Sequence, residues 1–204
     1  MKESDELTNK SNVWEQLDNS AIDLKIEMRN RYLPPNARVL DCFCGKGRIY
    51  QAVYQGKVQF YRGVDNQKIH SLVLCTVMDN IKYLASMDIS EFNVFDLDAY
   101  GSPWKQMYLI LKRSSQKEIM MFITDGLVMN LKRNNHVTNL VSMTENIPKW
   151  LNIPGVNRRY TDIFATMLLD ATSRYGWETK EAAYMHNERR SVYYWYLRFM
   201  KAQQ

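Results

Sequence analysis

Cysteine and histidine are scarce in this 204-residue sequence, with three of each, and long apolar runs are absent. Three cysteines do not make a disulfide framework, which indicates a reducing environment. No run approaches the roughly 18 apolar residues that a membrane-spanning helix needs. The N-terminal segment MKESDELTNKSN is polar and lacks the apolar stretch of a secretory signal. We therefore expect a cytoplasmic protein without a membrane partner.

The few potential metal ligands and catalytic histidines are also badly placed. His70, His136 and His186 are scattered along the chain and support no catalytic triad. Cys42 and Cys44 have no second cysteine pair or nearby histidine to complete a zinc set, so we interpret them as small buried residues. The sequence predicts no metal site. It also contains no internal repeat and no low-complexity segment.

The composition is that of a folded protein. Hydrophobic residues make up 46% and charged residues 24% of the chain, which allows a full hydrophobic core. The length suits one domain over residues 1–204. The net charge of +5 is compatible with a nucleic-acid partner but does not require one.

Hydrophobic patterning predicts strands and helices in alternation. Residues 72–77 could be a strand or the middle of a helix, because short apolar runs do not distinguish the two; we interpret them as a strand. Such alternation predicts a doubly wound, Rossmann-like α/β sheet, to which a C-terminal antiparallel hairpin is added. The predicted strands are 38–43, 58–64, 72–77, 92–97 and 118–124, the helices are 12–31, 47–56, 103–113 and 161–175 (with Thr161 as N-cap and Gly176 just past the end), and the hairpin strands are 177–185 and 192–200.

The stretch VLDCFCGKGRIY places two glycines directly after the first predicted strand. Gly45 and Gly47 allow a sharp bend and a close approach of a ligand to the backbone. A phosphate loop would need a lysine after its last glycine, where Arg48 stands. A dinucleotide fingerprint would need a small residue where Tyr50 stands. The remaining ligand is an adenosyl group without a pyrophosphate, S-adenosylmethionine, although a strand, turn and helix without any ligand would also fit.

The same stretch resembles the first motif of the class I S-adenosylmethionine-dependent methyltransferases. Asp65 ends the second predicted strand, where the resemblance implies an acid that accepts hydrogen bonds from the ribose hydroxyls. Asp79 and Asn80 follow the third strand, where such enzymes address the adenine amine. The cofactor contacts implied in this way are Asp41, Phe43, Gly45, Gly47, Asp65, Asn66, Asp79, Asn80 and Asp96.

A second stretch, FNVFDLDAYGSPW, resembles the fourth motif of methyltransferases that modify exocyclic amines of nucleic-acid bases, in the form found in transfer-RNA guanine N-methyltransferases. The resemblance implies that Asp98 and the Ala99 carbonyl accept hydrogen bonds from the target amine, and that Tyr100 stacks on the base. Asp96 is expected to orient this loop or to meet the sulfonium. Ala99 stands where the family usually has proline, which loosens the loop. A strand end followed by a tight turn would also give such a sequence.

The resemblance implies a nucleic-acid substrate, with RNA preferred to DNA. DNA adenine methylation and a non-catalytic, cofactor-binding subunit are the alternatives. No separate target-recognition domain is evident, so the helix 12–31, a substrate-side insertion at 134–160, or a partner subunit or homodimer would have to provide recognition. Basic doublets are often only solvated surface, but those on the ligand side of the sheet can contact phosphates. The predicted substrate contacts are Trp104, Lys132, Arg133, Arg158 and Arg159.

Overall fold

The computed structural model describes residues 21–67, 75–129 and 156–202. Their strands form one sheet in the order β3-β2-β1-β4-β5-β7-β6. The strands are β1 (Arg38–Asp41), β2 (Phe60–Asp65), β3 (Cys75–Val77), β4 (Val94–Asp98), β5 (Glu118–Asp125), β6 (Trp177–His186) and β7 (Tyr193–Lys201). The helices are α1 (21–32), α2 (Asn80–Ser86), α3 (Trp104–Arg113) and α4 (Tyr160–Tyr175), with a π-helix at Tyr50–Tyr54 and a 3-10 helix at Val156–Arg159.

The sheet confirms the predicted fold class. Strands β1 to β5 pair in parallel, and β7 inserts antiparallel between β5 and β6. The last two strands are the predicted C-terminal hairpin. Because the chain order reverses between β1 and β4, the carboxyl ends of these two strands mark the place where open α/β sheets bind ligands.

Each face of the sheet is covered by its own hydrophobic core. Successive side chains of a strand point to opposite faces, so Val39 packs with α1 and the π-helix, whereas Leu40 packs with α2, α3 and α4. Val94 and Phe95 divide in the same way on β4. Helices therefore lie on both faces of the sheet. No helix in the described part of the chain has the length and apolarity needed to cross a membrane.

Several strand boundaries differ from the prediction. Strand β1 ends at Asp41 rather than at residue 43, because the Asp41 carboxylate accepts a hydrogen bond from the Phe43 N–H and turns the chain. Strand β4 begins at Val94 because Phe92 is held in a turn, and it extends to Asp98, which pairs with Thr124 of β5. Of the predicted strand 72–77, the described part is β3, and residues 72–74 lie outside the described residues.

The helix after the glycine loop also differs from the prediction. It begins at Arg48 instead of Gly47, changes to a π-helix at Tyr50 and ends at Tyr54. The Tyr50 ring packs on Tyr61 of β2, with ring centroids 4.6 Å apart. Tyr50 therefore lies between the helix and the sheet. A dinucleotide-binding fold has a small residue at this position, which lets the helix pack closely on the strand.

The two ends of α4 give one correction and one confirmation. Thr161 is not the N-cap, because the 3-10 helix runs directly into α4 and the helix already begins at Tyr160. At the other end Gly176 has a left-handed φ of 67°, the predicted C-terminal stop.

Candidate active site

The carboxyl ends of β1 and β2 are joined by backbone and side-chain hydrogen bonds. The Gly45 N–H donates to Oδ2 of Asp65 at 3.1 Å, and the Cys44 N–H donates to the Val64 carbonyl at 3.2 Å. The Asp65 carbonyl in turn accepts from the Met78 N–H at 2.8 Å, just past β3. The glycine loop, the acid at the end of β2 and the chain after β3 therefore meet at one edge of the sheet.

The glycine loop depends on two left-handed residues. Gly45 has a φ of 46° and Gly47 a φ of 81°, which side-chain-bearing residues rarely adopt. The Gly47 N–H donates to the Cys44 carbonyl at 2.8 Å and closes the turn. The turn therefore needs glycine at both positions, and the close approach of a ligand to this backbone stays a prediction.

The predicted adenine residues lie at the same edge but make different contacts. Asp79 is exposed and caps α2, where its Oδ1 accepts from the Lys82 N–H at 2.8 Å. The Asn80 amide donates to the Cys42 carbonyl at 3.2 Å and accepts from Gln106 at 2.9 Å, so it is fixed beside β1. Their contacts with adenine remain a prediction. Of the other predicted cofactor residues, Asn66 is exposed and Phe43 is partly buried.

Asp41 is a buried acid at the end of β1. Its Oδ2 accepts from the Tyr61 hydroxyl at 2.7 Å, and its Oδ1 accepts from the Phe43 N–H at 3.0 Å. Burial, together with the nearby Asp96 carboxylate, raises the pKa of Asp41 well above the ordinary aspartate value, although these two hydrogen bonds oppose the shift. The site therefore favours a protonated Asp41 more than water does.

The cysteines of the glycine loop are buried thiols. Burial raises the pKa of both Cys42 and Cys44, and the Cys44 thiol lies 2.7 Å from Sγ of Cys75 on β3. Among residues 21–67, 75–129 and 156–202, no group of three or more histidines, cysteines and carboxylates is arranged to hold a metal ion.

Asp96 lies inside the protein and is fully engaged. Arg29 of α1 binds its carboxylate with both Nε and Nη2, at 2.6 and 2.5 Å, and the Tyr54 hydroxyl donates to Oδ2 at 2.5 Å. The residue has no exposed surface. This placement favours the first of the two predicted roles, orientation of the loop after β4, over contact with a sulfonium.

Asp98, two residues further on, lies at the rim of the sheet. Lys25 of α1 approaches Oδ1 at 2.8 Å, and the Thr124 hydroxyl donates to the same oxygen at 2.6 Å. Burial alone would raise the pKa of Asp98, but the charges of Lys25 and Arg29 and the hydrogen bonds from Lys25 and Thr124 lower it below the ordinary value. Asp98 is therefore an ionised hydrogen-bond acceptor at neutral pH.

The loop after Asp98 presents an aromatic ring to solvent. Ala99 is buried, whereas the next side chain, Tyr100, is 92% exposed. The Gly126 N–H donates to the Gly101 carbonyl at 2.6 Å, which ties this loop to the end of β5. An anchored backbone thus carries an exposed ring two residues after an ionised carboxylate.

Asp125, at the end of β5, is a buried acid near the candidate site that the sequence analysis missed. Its carboxylate accepts from the Leu127 N–H and from the Tyr160 hydroxyl, both at 2.9 Å, and that hydroxyl accepts from the Trp195 indole at 2.9 Å. Complete burial outweighs these hydrogen bonds and raises the pKa of Asp125 to about 6. The network joins the start of α4 to the loop after β5; only its position at a strand end could have indicated it.

Asp125→Asn should remove a pH dependence of stability. Because the folded-state pKa lies above the unfolded value, the wild type gains stability on protonation and loses about 3 kcal/mol as pH rises from about 4 to about 7. Asparagine does not titrate, so the variant lacks this loss of stability. The free energy of unfolding of the variant minus that of the wild type should therefore rise by about 3 kcal/mol between about pH 4 and about pH 7. Urea unfolding at several pH values measures the difference, and a constant difference would contradict the assignment.

Two groups of predicted substrate residues have contrasting positions. Trp104 was expected to contact substrate, but it is a core residue: it is 1% exposed and its ring lies 5.0 Å from that of Phe164. Trp104 lies on the inward face of α3, so this prediction is wrong. Arg158 and Arg159 are exposed just before Tyr160, at the edge where Asp125 lies. Lys132, Arg133 and most of the predicted insertion lie outside the described residues.

Comparison with known proteins reveals similarity of structure only. No family model and no curated protein sequence matches the chain. The 1,6-didemethyltoxoflavin-N1-methyltransferase of Burkholderia thailandensis has a TM-score of 0.56 at 11% identity, over 98% of this chain and 87% of that one. TYW2 of M. jannaschii has a TM-score of 0.55 at 9% identity, over 89% and 76%. A SAM-dependent methyltransferase of Methanosarcina mazei has a TM-score of 0.51 at 14% identity, over 87% and 98%.

These likenesses, together with the strand order, show that the chain has the fold of the class I S-adenosylmethionine-dependent methyltransferases. The fold that the motif resemblance implied is thereby confirmed.

Proposed function

We propose that the protein is an S-adenosylmethionine-dependent methyltransferase that methylates an exocyclic amine of a nucleic-acid base, in RNA rather than DNA. One observation carries the proposal. The ionised Asp98 carboxylate ends β4, the exposed Tyr100 follows it two residues later, and β4 pairs with the strand that leads into the glycine loop.

The glycine-loop edge fits the cofactor. The backbone at Gly45 and Gly47 carries no Cβ, and Asp65 is already oriented by its hydrogen bond from the loop. These residues would hold the cofactor, with Asn66, Asp79 and Asn80 beside the adenosine. The Burkholderia neighbour has S-adenosylhomocysteine bound and TYW2 has AdoMet bound, which supports the same ligand class here. When bound, the cofactor supplies an electrophilic methyl group.

Asp65→Ala should weaken S-adenosylmethionine binding by about tenfold or more. The substitution removes charge-assisted hydrogen bonds of roughly 1.5–3 kcal/mol in total, and every 1.4 kcal/mol corresponds to about tenfold in affinity. It also releases the Gly45 and Gln67 N–H groups that the carboxylate now holds. Calorimetry measures the affinity. Asp65→Asn keeps one acceptor oxygen and should fall in between; unchanged affinity of the alanine variant would remove Asp65 from the site.

The end of β4 fits an amine as the methyl acceptor. An amine on an aromatic base is a poor nucleophile, because its lone pair is delocalised into the ring. Acceptors on its hydrogens, here Asp98 and the Ala99 carbonyl, would hold the nitrogen pyramidal and direct the lone pair at the methyl group. Tyr100 would stack on the base, a contact worth about 1–3 kcal/mol. Orientation of this kind can contribute roughly 7–11 kcal/mol to catalysis.

A nucleic-acid substrate is supported by charge and exposure. The chain carries a net charge of +5, and Arg158 and Arg159 are exposed at the edge that holds Asp98 and Asp125. Phosphate contacts there would add affinity that falls with salt. The stacking surface of Tyr100 is suited to a base that has been flipped out of a helix or is single-stranded.

The function is tested by incubation with labelled S-adenosylmethionine and either total RNA or genomic DNA, followed by mass spectrometry of the nucleosides. We expect methylation of an exocyclic amine in RNA. Methyladenine in DNA alone would instead support the DNA alternative. Cofactor binding without transfer to either nucleic acid would indicate a non-catalytic subunit.

A further inference from the structure

Helix α1 presents two basic side chains to the two acids of β4. Lys25 and Arg29 are four residues apart, which corresponds to about 6 Å along a helix. Asp96 and Asp98 are two residues apart and on the same face of their strand, which corresponds to about 6.6 Å. This match of spacing allows Arg29 to bind Asp96 while Lys25 binds Asp98.

The two ion pairs are not equivalent. The Arg29–Asp96 pair is bidentate and almost completely buried, with 2% and 1% of its side chains exposed. The Lys25–Asp98 pair keeps 14% and 17% exposure and lies at the rim. The Arg29 Nη1 also donates to the Lys25 carbonyl at 3.0 Å, so the buried pair fixes the backbone from which Lys25 extends.

The contacts of Asp98 leave room for one more donor. A carboxylate offers about four lone-pair sites. Thr124 and Lys25 occupy Oδ1, and Lys25 also donates to Oδ2 at 2.9 Å. Among the described residues no further donor reaches Oδ2, so one of its lone-pair sites could accept a substrate N–H.

We propose that Lys25 is a positioning residue for methyl transfer, which holds the Asp98 carboxylate so that Oδ2 accepts a hydrogen bond from the substrate amine without taking its proton. The inference rests on the proposed function. As the amine nitrogen forms its bond to the methyl carbon, the carbon–sulfur bond breaks and its electron pair stays on sulfur. The resulting methylammonium then loses a proton to water, because the Lys25 ammonium opposes neutralisation of Asp98.

Other titratable groups surround Asp98, and their charges oppose one another. Arg29 on α1 adds to the effect of Lys25 and favours the ionised carboxylate. Asp41 on β1, Asp96 on β4 and Tyr194 on β7 also lie nearby. Burial acts against ionisation, and the Lys25 charge is the largest of the contributions that offset it.

The test compares Lys25→Met and Lys25→Gln with Lys25→Arg. The Asp98 carboxyl is titrated by carbon NMR in the full chain without substrate, with Asp98→Asn used for assignment. The neutral variants should raise the pKa of Asp98 by about 1–3 units, the usual effect of losing an adjacent opposite charge. The acidic limb of the pH profile of kcat/KM should move by the same amount, and arginine should restore both.

Lys57→Met is the matched control, because Lys57 contacts Asn30 of α1 but not Asp98; it should leave the titration unchanged. A lysine that only stabilises the fold would lower the melting temperature without moving either pH curve, and that result would overturn the inference. If the titration shifts but the wild-type protein methylates no amine, the proposed function is overturned. Any role of Lys25 in methyl transfer is then overturned as well. An unshifted titration in an active enzyme would overturn the role of Lys25 alone.

Discussion

Asp98→Asn is expected to reduce methyl transfer by about a hundredfold or more, the cost typical of removing one preorganised hydrogen-bonding group from an active site. An asparagine can keep its oxygen on Thr124 and Lys25, where Asp98 places Oδ1. Its Nδ2 then occupies the Oδ2 position and presents a donor to the substrate amine, which also donates. The amine loses its acceptor and its orientation, while the glycine loop is untouched.

The experiment separates chemistry from binding. Single-turnover transfer from labelled cofactor measures the chemical step, and calorimetry should find S-adenosylmethionine affinity within about twofold of the wild type. Asp88→Asn is the control, since exposed Asp88 accepts a turn hydrogen bond from the Ser90 N–H that asparagine can also accept. Wild-type turnover in the Asp98 variant would refute amine positioning by this residue. Loss of cofactor binding would show that Asp98 acts in cofactor binding and not on the substrate amine.

Much of the candidate ligand-binding edge of the sheet could be predicted from the sequence because its geometry depends on local signals. Gly45 and Gly47 adopt positive φ angles directly after a buried strand, and Asp65 ends the next strand. In a parallel sheet, strand ends meet at one edge, so residues far apart in sequence are brought together once the strands are known. The Gly45–Asp65 hydrogen bond is the direct result.

The partners of the acids on β4 could not be predicted in this way. Lys25 and Arg29 lie 73 and 67 residues before Asp98 and Asp96. Helical periodicity identifies the apolar stripe of α1, and charged residues beside it are usually interpreted as solvated surface. Only the packing of α1 on the sheet shows that Lys25 and Arg29 form ion pairs with the acids of β4. The i, i+4 spacing of two basic residues would have been the available signal.

The error at Trp104 has a similar origin. A tryptophan directly after a motif loop is a candidate substrate contact, but the direction of its side chain depends on which face of α3 is covered. Packing of α4 against α3 places Phe164 over the indole and buries it. The exposed ring is Tyr100, four residues earlier. Side-chain direction at a helix start is decided by tertiary contacts that no local pattern contains.

Arg29→Met should destabilise the protein by about 3–5 kcal/mol, because breaking a buried ion pair leaves the other charge uncompensated. Of its side-chain partners among the described residues, Asp96 would keep the Tyr54 hydroxyl alone, and it has no exposed surface through which water could solvate it. The loss should also loosen α1 and therefore weaken the Lys25–Asp98 contact. Urea unfolding, with m-values compared between variants, measures the change in free energy.

Two further variants decide the origin of this effect. Arg31→Met is the control on the same helix: its pair with Glu27 is about half exposed on each side, and such surface pairs contribute only about 0–1 kcal/mol. The double variant Arg29→Met, Asp96→Asn removes both charges and should recover a large part of the lost stability, since replacing both ions of a buried pair is far less costly than removing one. If the double variant is as unstable as the sum of the single variants, the stabilisation comes from packing of the arginine side chain and not from its charge.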